Sequence, residues 1–320
     1  MGPCRPGACR EPSARASDLS PEEHSILTQQ LYHSIFPSSP SPKSQDWKAA
    51  WDLHNNQSEA FRRLASCAVE HFSSAAGQDR VLWPTLMAIT TGRAGTFVEI
   101  GANDGITGSN TLVFERCLGW SGVLIEANPA NFHKLVAAGR NRSRAVHAAV
   151  CAADDPYGYV NITERGDYLS GDVMQLSQYS VSKFPWLTKR GASMVQVPCK
   201  PLSKVLHLNN FSKRVDFLSL DVEGSEERVL QTINPARFNV VLVELDHHNA
   251  VKDQRVRELL YKAGMIRATA LPKLWTDEIW VHSSVQELVA PYVCKHHVGP
   301  HQRSVCNLSA ALGHSWQNMY

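Results

Sequence analysis

From about residue 95 the chain alternates short runs of apolar residues with stretches whose apolar positions recur at helical spacing. The runs predict strands over 96–100, 122–126, 145–150, 215–220 and 240–245, and the periodic stretches predict helices over 111–118, 130–138, 226–233 and 254–263. Val240-Val241-Leu242-Val243 is apolar at both alternating positions. A strand needs that pattern when both faces of its sheet are covered, which implies a parallel sheet flanked by helices. Segments 265–270 and 279–282, on either side of Leu271-Pro272-Lys273-Leu274, read as an antiparallel pair closing the sheet. The predicted fold class is α/β, a doubly wound domain.

Upstream, Phe61, Leu64, Ala65 and Ala68 share one helical face before Gly77, and Ser20-Pro21-Glu22-Glu23 is a capping box that opens a short helix reaching to about Ile35. Residues 1–19 are rich in Pro, Arg and Ala, and residues 34–45 in Ser and Pro, compositions with too little apolar surface to offset the entropy of ordering. The expected division is a flexible extension with one short helix over 1–57, a folded domain over 58–290 and a tail containing Cys and His over 291–320.

Composition narrows the functional classes. The chain has 320 residues, 43% hydrophobic and 19% charged, with 32 Lys+Arg against 30 Asp+Glu. Such a balance excludes disorder of the whole chain and gives no reason to expect a nucleic-acid partner. No apolar run approaches the ~18–20 residues that span a bilayer, the longest being 81–89 with Pro84 inside it, so no transmembrane segment is expected. Residues 1–16 lack the apolar core of a signal peptide. Against that stand Asn-x-Ser/Thr sequons at Asn56, Asn141, Asn161, Asn210 and Asn307, where chance would give roughly two. Eight cysteines are compatible with disulfides. The compartment is therefore open: cytoplasmic by default, or the secretory-pathway lumen if the N-terminus is incomplete.

The candidate chemistry starts at the first strand. Phe97-Val98-Glu99-Ile100 runs into Gly101-Ala102-Asn103-Asp104-Gly105, with a helix after Ser109-Asn110. A strand, a glycine loop and a helix place backbone donors at the carboxyl edge of the sheet, where α/β folds bind ligands. Gly101 permits a tight turn and Gly105 the close approach of a ligand. The Gly-x-x-x-Gly spacing differs from the dinucleotide fingerprint, and no Walker lysine follows, so a ligand without a pyrophosphate fits better. Glu99 lies inside a strand, where a carboxylate needs a cationic or amine-bearing partner. Glu126 ends the second strand, 21 residues after Gly105, where such folds set an acid on ribose hydroxyls. Together they point to a nucleoside with an amino-acid tail.

The segments Phe97 to Gly105, Leu118-Gly119-Trp120-Ser121-Gly122-Val123-Leu124-Ile125-Glu126 and Asp216-Phe217-Leu218-Ser219-Leu220-Asp221-Val222-Glu223-Gly224 together resemble FkbM-type S-adenosylmethionine-dependent methyltransferases, in particular their animal Star-like branch, over about residues 78–283. The resemblance implies a seven-stranded class I methyltransferase domain of Rossmann-like form, S-adenosylmethionine as cofactor, and O-methylation of a hydroxyl-bearing small molecule or glycan. It implies a donor site drawn from Glu99, Gly101, Ala102, Asn103, Asp104, Gly105, Asn110, Thr111, Glu126, Ala127, Asn128 and Ala149. Star-like members are membrane-anchored proteins of the secretory pathway with a trafficking role, which makes a non-catalytic binding module the alternative function.

Two further strand ends, Asp221-Val222-Glu223-Gly224-Ser225-Glu226 and Glu244-Leu245-Asp246-His247-His248-Asn249, fall at the same rim as the glycine loop in a parallel sheet. Asp221, Glu223, Asp246 and His247 are the catalytic candidates, since methyl transfer to a hydroxyl needs alignment and removal of the hydroxyl proton. Asp221, Asp246 and Asn249 also resemble the oxygen ligands of magnesium-dependent methyltransferases, but no metal is assigned, because the adjacent histidines are softer ligands than magnesium prefers. The plainer reading makes Asp221, Glu223 and Glu226 acids at a helix N-terminus with Ser225 as cap. Cys294, His296, His297, His301 and Cys306 match no standard zinc module.

Overall fold

The computed structural model describes residues 59–91, 93–163, 194–211, 213–245, 249–268, 274 and 276–293. The N-terminal capping-box helix and the C-terminal Cys/His cluster lie outside the described residues.

Two helices, α1 (Glu59–His71) and α2 (Gln78–Thr90), precede the alternation. There follow β1 (Thr96–Ile100), α3 (Leu112–Leu118), β2 (Ser121–Glu126), α4 (Pro129–Ala137), β3 (Ser143–His147), β4 (Ala149–Val150), β5 (Tyr159–Thr163), β6 (Met194–Lys200), α5 (Leu202–Leu208), β7 (Val215–Leu220), α6 (Glu226–Leu230), β8 (Phe238–Glu244), α7 (Ala250–Lys262), β9 (Met265–Arg267), β10 (Asp277–His282) and α8 (Gln286–Val293). Seven strands form one sheet in the order β3-β2-β1-β7-β8-β10-β9. All neighbours up to β8 pair in parallel, and β10 inserts antiparallel between β8 and β9. Strand order reverses between β1 and β7, the switch point at which open α/β sheets bind ligands.

Both faces of the sheet are covered, which is why its strands read as continuous apolar runs. Phe97, Leu124, Phe217, Val240 and Leu242 face one core with Leu82, Trp83 and Leu86 of α2 and Phe114 of α3. Their immediate neighbours Val98, Val123, Leu218, Val241 and Val243 face a second core with Val205 of α5, Val229 of α6 and Val256 of α7. Phe114 makes ring contacts with Trp83, Trp120 and Phe217 in the first core. At the amino edge Asp216 accepts hydrogen bonds from Arg93, the backbone N–H of Thr96 and Asn239, tying the starts of β1, β7 and β8 together.

The structure corrects the apolar run 145–150, which is not one strand. It divides at Ala148, whose N–H is donated to the Glu126 carbonyl. The residues before it pair with β2, and Ala149–Val150 pair with β6 in a separate sheet of order β4-β6-β5. That small sheet and α2 are absent from the sequence reading. Disulfides join Cys67 of α1 to Cys117 of α3, and Cys151, just after β4, to Cys199 of β6.

Candidate functional site

At the carboxyl edge of β1, β2 and β7 lies a cavity of about 380 Å³, lined on one side by Gly101, Ala102, Asn103, Glu126 and Ala127 and on the other by Asp221, Glu223 and Ser225. Val150, Val160 and Ile162 of the small sheet form an apolar wall, and Ala75, from the loop between α1 and α2, reaches its lip. That volume falls in the range of small-molecule sites.

The floor is set by backbone contacts. Gly101 has φ +83°, and a Cβ there would stand 1.8 Å from the Asp221 carbonyl oxygen. The Asp221 N–H is donated to the Ile100 carbonyl at 3.1 Å, so the two loops cross where only glycine fits. Gly105 serves packing instead: a Cβ at its φ of +75° would meet the Leu135 side chain at 2.4 Å, and the residue does not line the cavity. Asn103, at φ +50°, donates its N–H to Glu126 Oε2 at 2.7 Å. Asn128 donates its own N–H to Glu126 Oε1 at 2.7 Å, and its side chain caps α4. Burial pushes the Glu126 carboxyl up to about 7, opposed by those N–H donors.

The partner that Glu99 requires is inside the protein. Its carboxylate, 3% exposed, accepts from Ser109 Oγ at 2.9 Å, the Asn110 N–H at 2.7 Å and Thr111 Oγ1 at 2.6 Å. Burial raises its pKa, and the Arg140 guanidinium works the other way. Arg140 is itself buried. It bonds Glu115 Oε2 at 2.8 Å, the Gly105 carbonyl at 2.7 Å and Thr111 Oγ1 at 2.9 Å. Glu99, Asn110 and Thr111 thus lie behind the loop as its scaffold rather than in the cavity. Asp104 stays outside as well, since its carboxylate accepts from the N–H groups of Ile106 and Thr107 and from the Thr107 hydroxyl. Although burial opposes ionisation, these bonds hold its carboxyl below the ordinary value. Ala127 and Ala149 line the cavity; Asn128 is buried beneath it.

On the opposite side, carboxylates of Asp221, Glu223 and Glu244 come within 4.8 Å of one another. Partial desolvation at the cavity wall, then the charges of Glu244 and Glu223, push the Asp221 carboxyl above the carboxylate range, although the residue itself stays exposed. Asp277 of β10 adds to this. Its own carboxyl is raised to about 7, by burial and then by Glu244, while Gln78 of α2 donates to it at 2.7 Å. Glu226 belongs to the loop rather than the cavity, accepting from the N–H of Gly224 at 3.0 Å and from Lys252 Nζ at 3.1 Å. Ser225 makes no side-chain capping bond, and its buried hydroxyl has no partner among the described residues. Asn249 caps α7 through the Lys252 N–H. Asp246, His247 and His248 lie outside the described residues.

Sequence reasoning missed Arg140, Val160 and Ile162. Arg140 stands in a run of arginines at 140, 142 and 144 with nothing to single it out, whereas Tyr159–Thr163 does carry a period-two alternation that identifies a strand.

The sequence matches the family model of the methyltransferase FkbM domain over residues 99–266. No curated protein matches it. Among solved structures, the chain is similar to methyltransferase FkbM from Methylobacillus flagellatus KT, with 10% identity, covering 82% of this chain and 58% of that one, at a TM-score of 0.38. It is similar to Aeropyrum pernix fibrillarin with natively bound S-adenosyl-L-methionine, with 12% identity over 59% of this chain and 66% of that one, TM-score 0.33. Precorrin-6y C5,15-methyltransferase from Geobacter metallireducens GS-15 gives 10% identity over 67% and 76%, TM-score 0.30. No helix among the described residues is long and apolar enough to cross a membrane.

Proposed function

Because the chain belongs to the FkbM methyltransferase family, we propose that it binds S-adenosylmethionine in the cavity at the carboxyl edge of β1 and β2 and methylates a hydroxyl oxygen of a small molecule or glycan, as a member of the Star-like branch. The observation that carries this reading is Glu126. Its carboxylate ends β2, lines the cavity and is braced by two backbone N–H groups, which leaves lone pairs for the hydroxyls of a ribose. Ala102, Asn103 and Ala127 beside it, with the apolar wall of Val150 and Ile162, suit the remainder of a nucleoside.

When bound, the cofactor supplies an electrophilic methyl group on a sulfonium. The chain's own residues align the acceptor and handle its proton. Asp221 and Glu223 stand on the acceptor side, and the raised affinity of Asp221 for a proton makes its carboxylate a stronger base than an ordinary aspartate. Asp246 and His247, on the segment after β8, are proposed to complete this rim, with His247 as the second proton acceptor.

Calorimetric titration with S-adenosylmethionine tests the donor half. The expected result is one site, weakened at least tenfold by Glu126→Ala, because hydrogen bonds to a carboxylate contribute about 1.5–3 kcal/mol each. A wild-type chain that does not bind would end the reading and favour a non-catalytic module. Transfer of label from methyl-labelled donor to hydroxyl-bearing metabolites and glycans tests the acceptor half.

A further inference from the structure

Asn141, Asn161 and Asn210, the three sequon asparagines within the described residues, are all exposed. Asn141 occupies the turn between α4 and β3, and Asn210 the turn between α5 and β7, at φ +61°. Both turns lead into strands of the parallel sheet, so they lie at its amino edge, while the cavity opens at its carboxyl edge. A bulky group on either asparagine would project away from the cavity mouth. Asn161 differs, since it stands in β5 between Val160 and Ile162, which line the cavity.

A second, independent observation concerns the sulfurs. All four cysteines of the described residues are paired, and both pairs bridge elements packed in the interior. Stable disulfides of this kind form where the environment is oxidising. In a secreted protein that is also where Asn-x-Ser/Thr sites are modified. One compartment satisfies both.

We propose that Asn141 and Asn210 carry N-linked glycans, added in the oxidising lumen of the secretory pathway. The co-reactant is an oligosaccharide on a polyisoprenyl diphosphate. The Asn Nδ2 attacks the anomeric carbon, an N–C bond forms, the C–O bond to the diphosphate breaks, the lipid diphosphate leaves with the electron pair, and one amide proton is released. In the folded chain the Ser143 hydroxyl of the first sequon is donated to Glu115 and the Arg142 N–H to the same carboxylate. The hydroxyl that the sequon requires is therefore committed once this turn forms, and transfer to Asn141 precedes it. None of this depends on the methyl-transfer reading.

The test uses the full gene product from a mammalian secretory host. Peptide-N-glycosidase in ¹⁸O-water, followed by peptide mass spectrometry, should convert Asn141 and Asn210 to ¹⁸O-labelled aspartate. Asn141→Gln and Asn210→Gln should each remove one discrete gel shift. A non-reducing peptide map should recover the Cys67–Cys117 and Cys151–Cys199 pairs. Protein recovered with both asparagines unmodified overturns the proposal, whether its cysteines are paired or free, and so does modification confined to Asn161.

Discussion

The proton on Glu126 should govern donor affinity near neutral pH. Its carboxyl titrates at about 7 in the ligand-free chain, and only the ionised form accepts hydrogen bonds from two ribose hydroxyls without losing one of its braces from Asn103 and Asn128. If that form alone binds, the apparent dissociation constant is multiplied by one plus the ratio of protonated to ionised carboxyl. The factor is about 1.1 at pH 8 and about 11 at pH 6, a tenfold weakening worth about 1.4 kcal/mol. Glu126→Gln should bind more weakly at pH 8, because its amide must turn a donor toward one of the two N–H groups. It should also lack that tenfold change. Titration of the donor's own amine is common to both proteins and cancels in the comparison. Calorimetry at half-unit intervals from pH 6 to 8 reads the difference. Equal pH slopes in the two proteins would refute the assignment of Glu126. Stability carries the same signature with the opposite sense. A carboxyl whose folded pKa lies above its unfolded value near 4.5 holds more protons when folded, so stability falls as pH rises between the two. For Glu126 the ceiling is about 3 kcal/mol, with Asp277 acting in the same direction. The ligand-free chain should accordingly melt higher at pH 5.5 than at pH 7.5, and Glu126→Gln should shrink the gap.

Gly101→Ala should cost at least about 4 kcal/mol in urea unfolding, since the added Cβ meets a carbonyl that the β1–β7 contact holds in place. Glu99→Gln should cost about 3–5 kcal/mol, because it removes the buried charge facing Arg140 and sets an amide donor among three donors; an unchanged melting temperature would show the network to be slack. Replacing Cys151 and Cys199 by Ser should cost about 2–5 kcal/mol and weaken donor binding as well, because the staple joins strands whose neighbours Val150, Val160 and Ile162 wall the cavity. Binding that survives intact would detach the small sheet from the site.

How far the fold was legible follows from how each element is buried. β1, β2, β7 and β8 are sandwiched between two cores, so their central positions are mostly apolar and the runs stand out, with Glu99, Asp216, Ser219 and Asn239 as buried polar exceptions. α2 is buried on nearly all sides, with Asp79, Thr85 and Thr90 inside along with Leu82, Trp83 and Leu86, so it shows no amphipathic stripe. Pro84 at its centre argues against a helix on sequence grounds, yet tertiary packing carries it. β4 is two residues long and follows β3 with no glycine, proline or other turn residue between them, so the change of sheet at Ala148 is not marked in the sequence. The disulfides had no signal in spacing either, because eight cysteines leave too many pairings open.

The site divides along the same line between local and long-range information. The positions that line the cavity from the first loop, Gly101 to Asn103 with Glu126, follow from a motif in which chain order and spatial order coincide. Glu99 followed only halfway: its need for a partner was visible from a carboxylate in an apolar strand, but the partners are the next turn of the same loop and Arg140, which arrives from beyond α4. A sequence states that a buried charge must be met; which side chain meets it depends on packing 41 residues downstream. Asp221 is the converse case. Its proton is favoured by desolvation and by Glu244 of β8 as well as by its near neighbour Glu223, with Asp277 of β10 adding to the same rim. The antiparallel insertion of β10 adds to this by setting Asp277 directly opposite Glu244 in the pairing register. The Asp221 side of the cavity is assembled by topology, whereas the Glu126 side is assembled by a loop.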